Sequence, residues 1–181
     1  MELTQVDINK DKALQRKAAK LYKEAFPKEE RIPWWLLRWN ARRKGIGLTA
    51  FLDGDTFCGF TSSVTVEDLH FLLFFAVEAS LRGKGYGSRI LSDIQKNHGK
   101  VTLNVEPLIN TAPNPEERQR RFAFYRKNGF LDTGYHVWEI GGKFRVLSTQ
   151  RELDVPQYQK VFQKLTLGLW KVKIQPADVQ N

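Results

Sequence analysis

Three glycines at alternate positions mark the segment Val77, Glu78, Ala79, Ser80, Leu81, Arg82, Gly83, Lys84, Gly85, Tyr86, Gly87, Ser88. Glycine lets the main chain approach a ligand closely, and a helix expected from about Gly87 to Asn97 aims free amides and its positive dipole end at the same point. The turn therefore reads as an anion cradle. Arg82 and Lys84 add positive charge suited to the pyrophosphate of a nucleotide-containing cofactor. Two other glycine loops do not match. The phosphate loop of nucleotide hydrolases needs Ser or Thr after Gly and Lys, and here Gly83 and Lys84 are followed by Gly85. The dinucleotide fingerprint needs a third glycine three positions after the second, where Ser88 stands. A turn that only joined a strand to a helix would seldom need three glycines beside Arg and Lys.

The elements around this turn follow from hydrophobic spacing. Leu69 to Val77 is apolar on both faces, which predicts a central strand covered by helices on each side. Before it, Leu48 to Leu52 and Phe57 to Val66 flank the turn Asp53, Gly54, Asp55, so the three runs predict an antiparallel meander. After it, the helix presenting Ile90, Leu91 and Ile94, followed by a strand Lys100 to Val105, predicts a right-handed crossover between parallel strands. At the N-terminus, Glu2 to Ile8 reads as a strand, and Leu14, Ala18, Leu21, Tyr22, Ala25 and Phe26 form a helical stripe that ends at Pro27. Pro33 opens a second helix, carrying Trp34, Trp35, Leu37 and Trp39 and stopping at Gly45. Its tryptophans are either core anchors or the wall of a substrate cleft, with Trp34 the candidate for substrate contact. Asn114, Pro115 and Glu117 supply an N-cap, a first-turn proline and a third-position glutamate for a helix ending near Asn128 and Gly129. Tyr135 to Ile140 and Lys143 to Thr149 flank Gly141 and Gly142 as a hairpin, and Val155 to Leu169 reads as a terminal amphipathic helix. The expected organisation is one domain over residues 1–150 with a helical extension, 151–181, packed on it.

Bulk properties narrow the class. The chain has 181 residues, 41% of them hydrophobic, enough for a substantial core. It contains no apolar run of membrane-spanning length and its first 25 positions are charged, so a cytoplasmic protein without a membrane partner is expected. The single Cys58 and three histidines give no disulfide, no metal-ligand spacing and no coherent nucleophile triad. A net charge of +9, from 29 basic against 20 acidic residues, favours polyanionic partners: nucleic acid, an acidic surface or a phosphate-rich cofactor. A basic nucleic-acid-binding module is accordingly the alternative from another class, although no nucleic-acid partner is expected.

Arg82, Gly85 and Gly87 fill the pattern Arg or Gln, two residues, Gly, one residue, Gly or Ala. With the second motif Phe124, Tyr125, Arg126, Lys127, Asn128, Gly129, Phe130 and the order of elements over residues 1–150, the chain resembles the GNAT superfamily of acetyl-CoA-dependent N-acetyltransferases. The resemblance implies an α/β (α+β) fold. It has a mixed central sheet of about six to seven strands, an antiparallel N-terminal meander, a splayed parallel pair at the cofactor slot, and helices on both faces. It implies that main-chain groups of Phe75, Ala76 and Val77 pair with the pantetheine arm of acetyl-CoA as an added strand. Amides from Gly83, Lys84, Gly85, Tyr86, Gly87 and Ser88 would hold the pyrophosphate, and Tyr125 would protonate the departing thiolate. One departure is visible: many members carry Asn seven residues before the motif tyrosine, and here that position is Arg118.

Attack by an amine on a thioester requires an uncharged nitrogen, and a lysine-like amine has a pKa near about 10.4, so a base or water chain must remove a proton. Glu106 on the strand beside the slot is the candidate base acting through water, and Glu29 and Glu30 are candidates for orienting a cationic acceptor. The acceptor class is a small-molecule or peptide amine, and the protein is expected to be a monomer or homodimer. A CoA-binding domain of the same fold without chemistry is the remaining alternative.

Overall fold

The structure, a computed structural model, describes residues 3–109, 111, 114–139 and 142–177. Strand β1 (Thr4–Asp7) leads into helix α1 (Lys12–Ala25). Asp11 starts that helix because its carboxylate accepts from the amides of Ala13 and Leu14 at 2.7 and 2.9 Å, donors that lack partners within the helix. Leu14, Ala18, Leu21 and Tyr22 form its buried stripe. Helix α2 (Trp34–Asn40) is shorter than expected: it ends at Asn40, and a turn at residues 41–45 closes on Gly45 at φ 76°. The meander follows as β2 (Ile46–Asp53), β3 (Thr56–Val66) and β4 (Leu69–Val77), with every pairing antiparallel.

Helix α3 (Tyr86–Asn97), strand β5 (Lys100–Val105), helix α4 (Pro115–Lys127), strands β6 (Leu131–Glu139) and β7 (Gly142–Ser148) and helix α5 (Val155–Leu165) complete the expected set. Asn114 is the N-cap of α4, but its side chain accepts from Arg118 Nε at 2.9 Å rather than from a helix amide. Ile140, the expected end of the first hairpin strand, and Gly141 of its turn lie outside the described residues. One element was not read from the sequence: β8 (Lys173–Pro176) pairs antiparallel with β6 and makes the sheet eight-stranded, in the order β1-β2-β3-β4-β5-β7-β6-β8. The terminal helix is correspondingly shorter, ending at Leu165 instead of Leu169.

Strand β4 separates two apolar layers. Leu72, Phe75 and Val77 meet the cluster that holds Ile90, Leu91, Ile94 and Tyr125 of α3 and α4. Phe74 and Ala76 meet Leu14, Leu21 and Leu37 of α1 and α2, and Phe71 meets Tyr158 and Phe162 of α5. Among the described residues the only parallel pairing is that of β4 with β5, from Leu69 with Lys100 to Leu72 with Leu103. Ser62 pairs with Phe74 and Ser63 with Leu72, so Leu73 is an extra residue at a bulge. Past that bulge β4 stays with β3 to Val77, β5 turns to β7 at Val105 and Arg145, and the two strands part.

Candidate active site

The fork between β4 and β5 exposes one edge of Phe74–Val77, whose main-chain groups find no sheet partner on that side among the described residues. Immediately after it comes a 3-10 turn at Ala79–Leu81, capped by the Glu78 carboxylate on the Ala79 amide at 3.1 Å. Arg82 Nε donates back to the Val77 carbonyl at 3.1 Å, which folds the chain toward the start of α3. Gly83 and Gly85 hold φ 75° and 84°, the left-handed region, and a Cβ built on either would meet nothing within 4 Å. Gly85 is the N-cap of α3 and no side chain satisfies the first amides of the helix. Gly87 serves a different purpose. A Cβ there would stand 3.0 Å from Phe124 Cζ, so its absence lets α4 lie against α3.

Tyr86 and Arg89 turn away to a common anchor, the Asp53 carboxylate in the β2–β3 turn, at 3.0 and 2.9 Å. The hydrogen bond from Arg89, helped by that from Tyr86, holds the Asp53 carboxyl below the usual carboxylate range. The start of α3 is thereby fixed to the meander.

A cavity of about 1410 Å³ runs through the fork. Phe75, Ala76, Val77, Arg82, Gly83, Gly85, Gly87 and Ser88 line it; Lys84 and Tyr86 do not reach it. Tyr125, Glu106, Arg121, Asn104, Glu139 and Glu30 line it too. Tyr125 packs its ring against Phe124 and Phe130, at centroid distances of 5.3 and 5.6 Å, and burial pushes its phenol up to about 12. It is thus both a core residue and a cavity residue. The two carboxylate oxygens of Glu106 are taken by different guanidiniums, Oε1 by Arg118 at 3.8 Å and Oε2 by Arg121. Arg118 also donates to the Pro107 carbonyl at 3.2 Å, so the residue that departs from the resembled pattern ties the loop after β5 to α4.

Glu139, at the end of β6, was not singled out by sequence reasoning. Burial pushes its carboxyl up to about 7, against the hydrogen bond from Asn104, and the charge of Glu30 pushes in the same direction as burial. Asn104 Nδ2 donates to Glu139 Oε1 and, at 2.7 Å, to the Tyr158 hydroxyl, which in turn donates to Asn104 Oδ1 at 2.9 Å. The buried Tyr158 thus fixes Asn104, and Asn104 fixes Glu139. Burial likewise raises the Glu30 carboxyl, opposed by Arg121 and Arg118. Glu30 is placed by its segment: the Tyr22 hydroxyl accepts from the Ile32 amide at 2.8 Å and donates to the Ile32 carbonyl at 3.1 Å, pinning the connector between α1 and α2.

Two expected substrate residues fall elsewhere. Glu29 is exposed and off the cavity, and Trp34 packs on Tyr22 and Phe60 at 5.6 and 6.0 Å in the layer under α1. Trp39, five residues further along α2, lines the cavity instead. Among the described residues, no group of three His, Cys, Asp or Glu side chains could hold a metal ion, and no helix is long and apolar enough to cross a membrane.

Residues 46–131 match the family model of the acetyltransferase (GNAT) domain. No curated protein sequence matches the chain. Among solved structures, a Bacteroides thetaiotaomicron protein assigned to the GNAT acetyltransferases superposes with a TM-score of 0.69 at 21% identity, over 94% of this chain and 100% of its own. An aminoglycoside 6'-N-acetyltransferase in complex with coenzyme A gives 0.65 at 17%, over 85% of this chain and 100% of its own. The ribosomal-protein-S18-alanine N-acetyltransferase from Escherichia coli gives 0.57 at 14%, over 83% and 95%. At these identities the structural likeness shows a common fold.

Proposed function

We propose that the protein transfers the acetyl group of acetyl-CoA to a primary amine of a small molecule or peptide, a reading supported by the match of residues 46–131 to the acetyltransferase (GNAT) domain model and by the shared fold. The observation that supports this best is continuity: one cavity joins the glycine turn at α3, the free edge of β4, Tyr125 and Glu139. Its volume of about 1410 Å³ exceeds the 300–1,000 Å³ (roughly) of common ligand pockets, leaving room for two reactants.

The residues suit the cofactor. An uncapped helix start beneath open left-handed glycines suits a diphosphate, with Arg82 on the same lining, and the unpaired edge at Phe75–Val77 suits an amide-bearing arm. Bound there, acetyl-CoA supplies a thioester carbon open to a nucleophile. We assign Glu139 as the base that takes a proton from the acceptor ammonium, leaving the nitrogen lone pair free for attack. Glu106 is the weaker candidate, because Arg118 and Arg121 already occupy its oxygens. Glu30 orients the ammonium beside Glu139. The Tyr125 hydroxyl would give its proton to the sulfur as the carbon–sulfur bond breaks, the second proton that the nitrogen sheds on becoming an amide would return to the Tyr125 phenolate, and the proton held by Glu139 would pass to solvent.

Calorimetric titration with acetyl-CoA and thiol release with a panel of amines test this reading. Tyr125→Phe is expected to lower turnover about 10²-fold or more while leaving acetyl-CoA affinity unchanged. Unchanged turnover would remove Tyr125 from the chemistry, and absence of acetyl-CoA binding would remove the function.

A further inference from the structure

The part of the cavity remote from the glycine turn is walled by large apolar side chains from four segments: Trp39 of α2, Phe144 of β7, Phe162 of α5, and Leu167, Leu169 and Trp170 just after α5. Several of these stay in solvent. Trp39 is 45% exposed, Leu167 58%, Leu169 89% and Trp170 36%. The turn that carries the last three is firmly built: Gly168 N donates to the Gln163 carbonyl at 2.7 Å, Leu169 N to the Thr166 carbonyl at 3.1 Å, and Trp170 N to Thr166 Oγ1 at 3.2 Å. Leu167 holds φ 56°, a left-handed backbone that leucine seldom adopts. Arg43 fastens the root of the turn to α2, donating to the Lys164 carbonyl and to Asn40 Oδ1, both at 2.6 Å. Trp39 and Trp170 therefore belong to one wall. Ordered apolar surface of this kind gains free energy only when something apolar covers it.

Charge selects what covers it. Glu30 and Glu139 offer a place for one ammonium inside the cavity; of the other carboxylates on its lining, Glu106 is paired with Arg118 and Arg121, Glu24 lies 3.9 Å from Lys20, and Glu117 is exposed to solvent. A second or third ammonium would share the lining with Arg31 and Arg121, in a chain of net charge +9. We propose that the acceptor is a primary monoamine with a bulky apolar body, aromatic or branched alkyl. Its ammonium lies at Glu30 and Glu139, and its body lies between Trp39 and the Leu167–Trp170 turn. This assignment rests on the acetyltransferase reading above and narrows it: polyamines and aminoglycosides are poor acceptors.

The experiment measures thiol release from acetyl-CoA by the full chain with phenethylamine, tryptamine, ethanolamine, spermidine and kanamycin, beside calorimetry with acetyl-CoA alone. The two arylalkylamines are expected to exceed the other three in kcat/KM by at least about tenfold. Trp170→Ala, and Leu169→Ser at a position too exposed to threaten folding, are each expected to cut that advantage several-fold with acetyl-CoA affinity unchanged. A preference for spermidine or kanamycin overturns the assignment while the acetyltransferase reading stands. Turnover of phenethylamine indifferent to both substitutions overturns the role of the turn. If acetyl-CoA binds and none of the five amines reacts, the acceptor assignment fails; if acetyl-CoA does not bind, the reading beneath it fails.

Discussion

A carboxyl that changes charge near neutrality and a phenol that keeps its proton there face the same cavity: Glu139 at about 7 and Tyr125 at about 12. Burial raises both, yet the consequences are opposite, since a raised carboxyl becomes a competent base at neutral pH and a raised phenol remains a proton donor. A base must be ionised to act. The kcat/KM of the protein is therefore expected to climb as pH rises through about 7 and to level off above it. Glu139→Gln should flatten that limb and lower the rate about 10²-fold at pH 8. A limb with the same midpoint in the variant would place the base elsewhere. Asn104→Ala acts on the same limb through position, because the amide holds the carboxyl and Tyr158 holds the amide.

The start of α3 has two glycines with different tasks, and substitutions there should separate binding from geometry. Alanine at Gly85, with φ 84°, would carry the left-handed penalty of about 1–2 kcal/mol and put a methyl group into the open cradle. Acetyl-CoA affinity is expected to fall at least about tenfold by calorimetry, with a melting shift of only a few degrees. Alanine at Gly87 would press on Phe124, next to Tyr125, so turnover should fall further than affinity does. Equal losses in both variants would show that the two glycines share one role.

The elements that build this region were legible because their signals are local: the doubly apolar run Leu69–Val77, the glycine turn and the stripe of α3 all appear where expected. What was hidden depends on phase or on distance. Trp34 and Trp39 differ by five positions, enough to put one under α1 and the other on the cavity once the helix ends at Asn40. Glu139 meets Asn104 across 35 residues and across an intervening strand, since β7 lies between β5 and β6, a contact that no local pattern announces. Nothing in the short run Lys173–Pro176 alternates clearly enough to announce β8, whose place comes from an open edge on β6.

At the scale of the whole molecule, stability should depend on pH through a pair of stacked histidines far from the proposed chemistry. His70 and His98 lie ring on ring at 3.8 Å, inclined by 10°, and His70 Nδ1 meets Thr65 Oγ1 at 2.9 Å. Burial, aided by His98, pushes His70 down to about 3, while in the unfolded chain it titrates near 6.5. Below about 6.5 the unfolded state takes up a proton that the folded state refuses, so stability falls toward pH 3 by up to about 1.4 kcal/mol per pH unit. Urea midpoints measured from pH 7.5 to 4.5 should decline less steeply for His70→Gln than for the unaltered chain. Parallel declines would assign the dependence to other groups.

The two outer strands, β1 and β8, span four residues each, and β8 ends on Pro176 after beginning on Lys173. A border that short, carrying an imino acid and an ammonium group, gives a stranger's backbone little to zip onto. Crowded copies of this chain should therefore resist stacking into continuous ribbons, and the Trp-bearing mouth can stay greasy without inviting fibril growth from the rim.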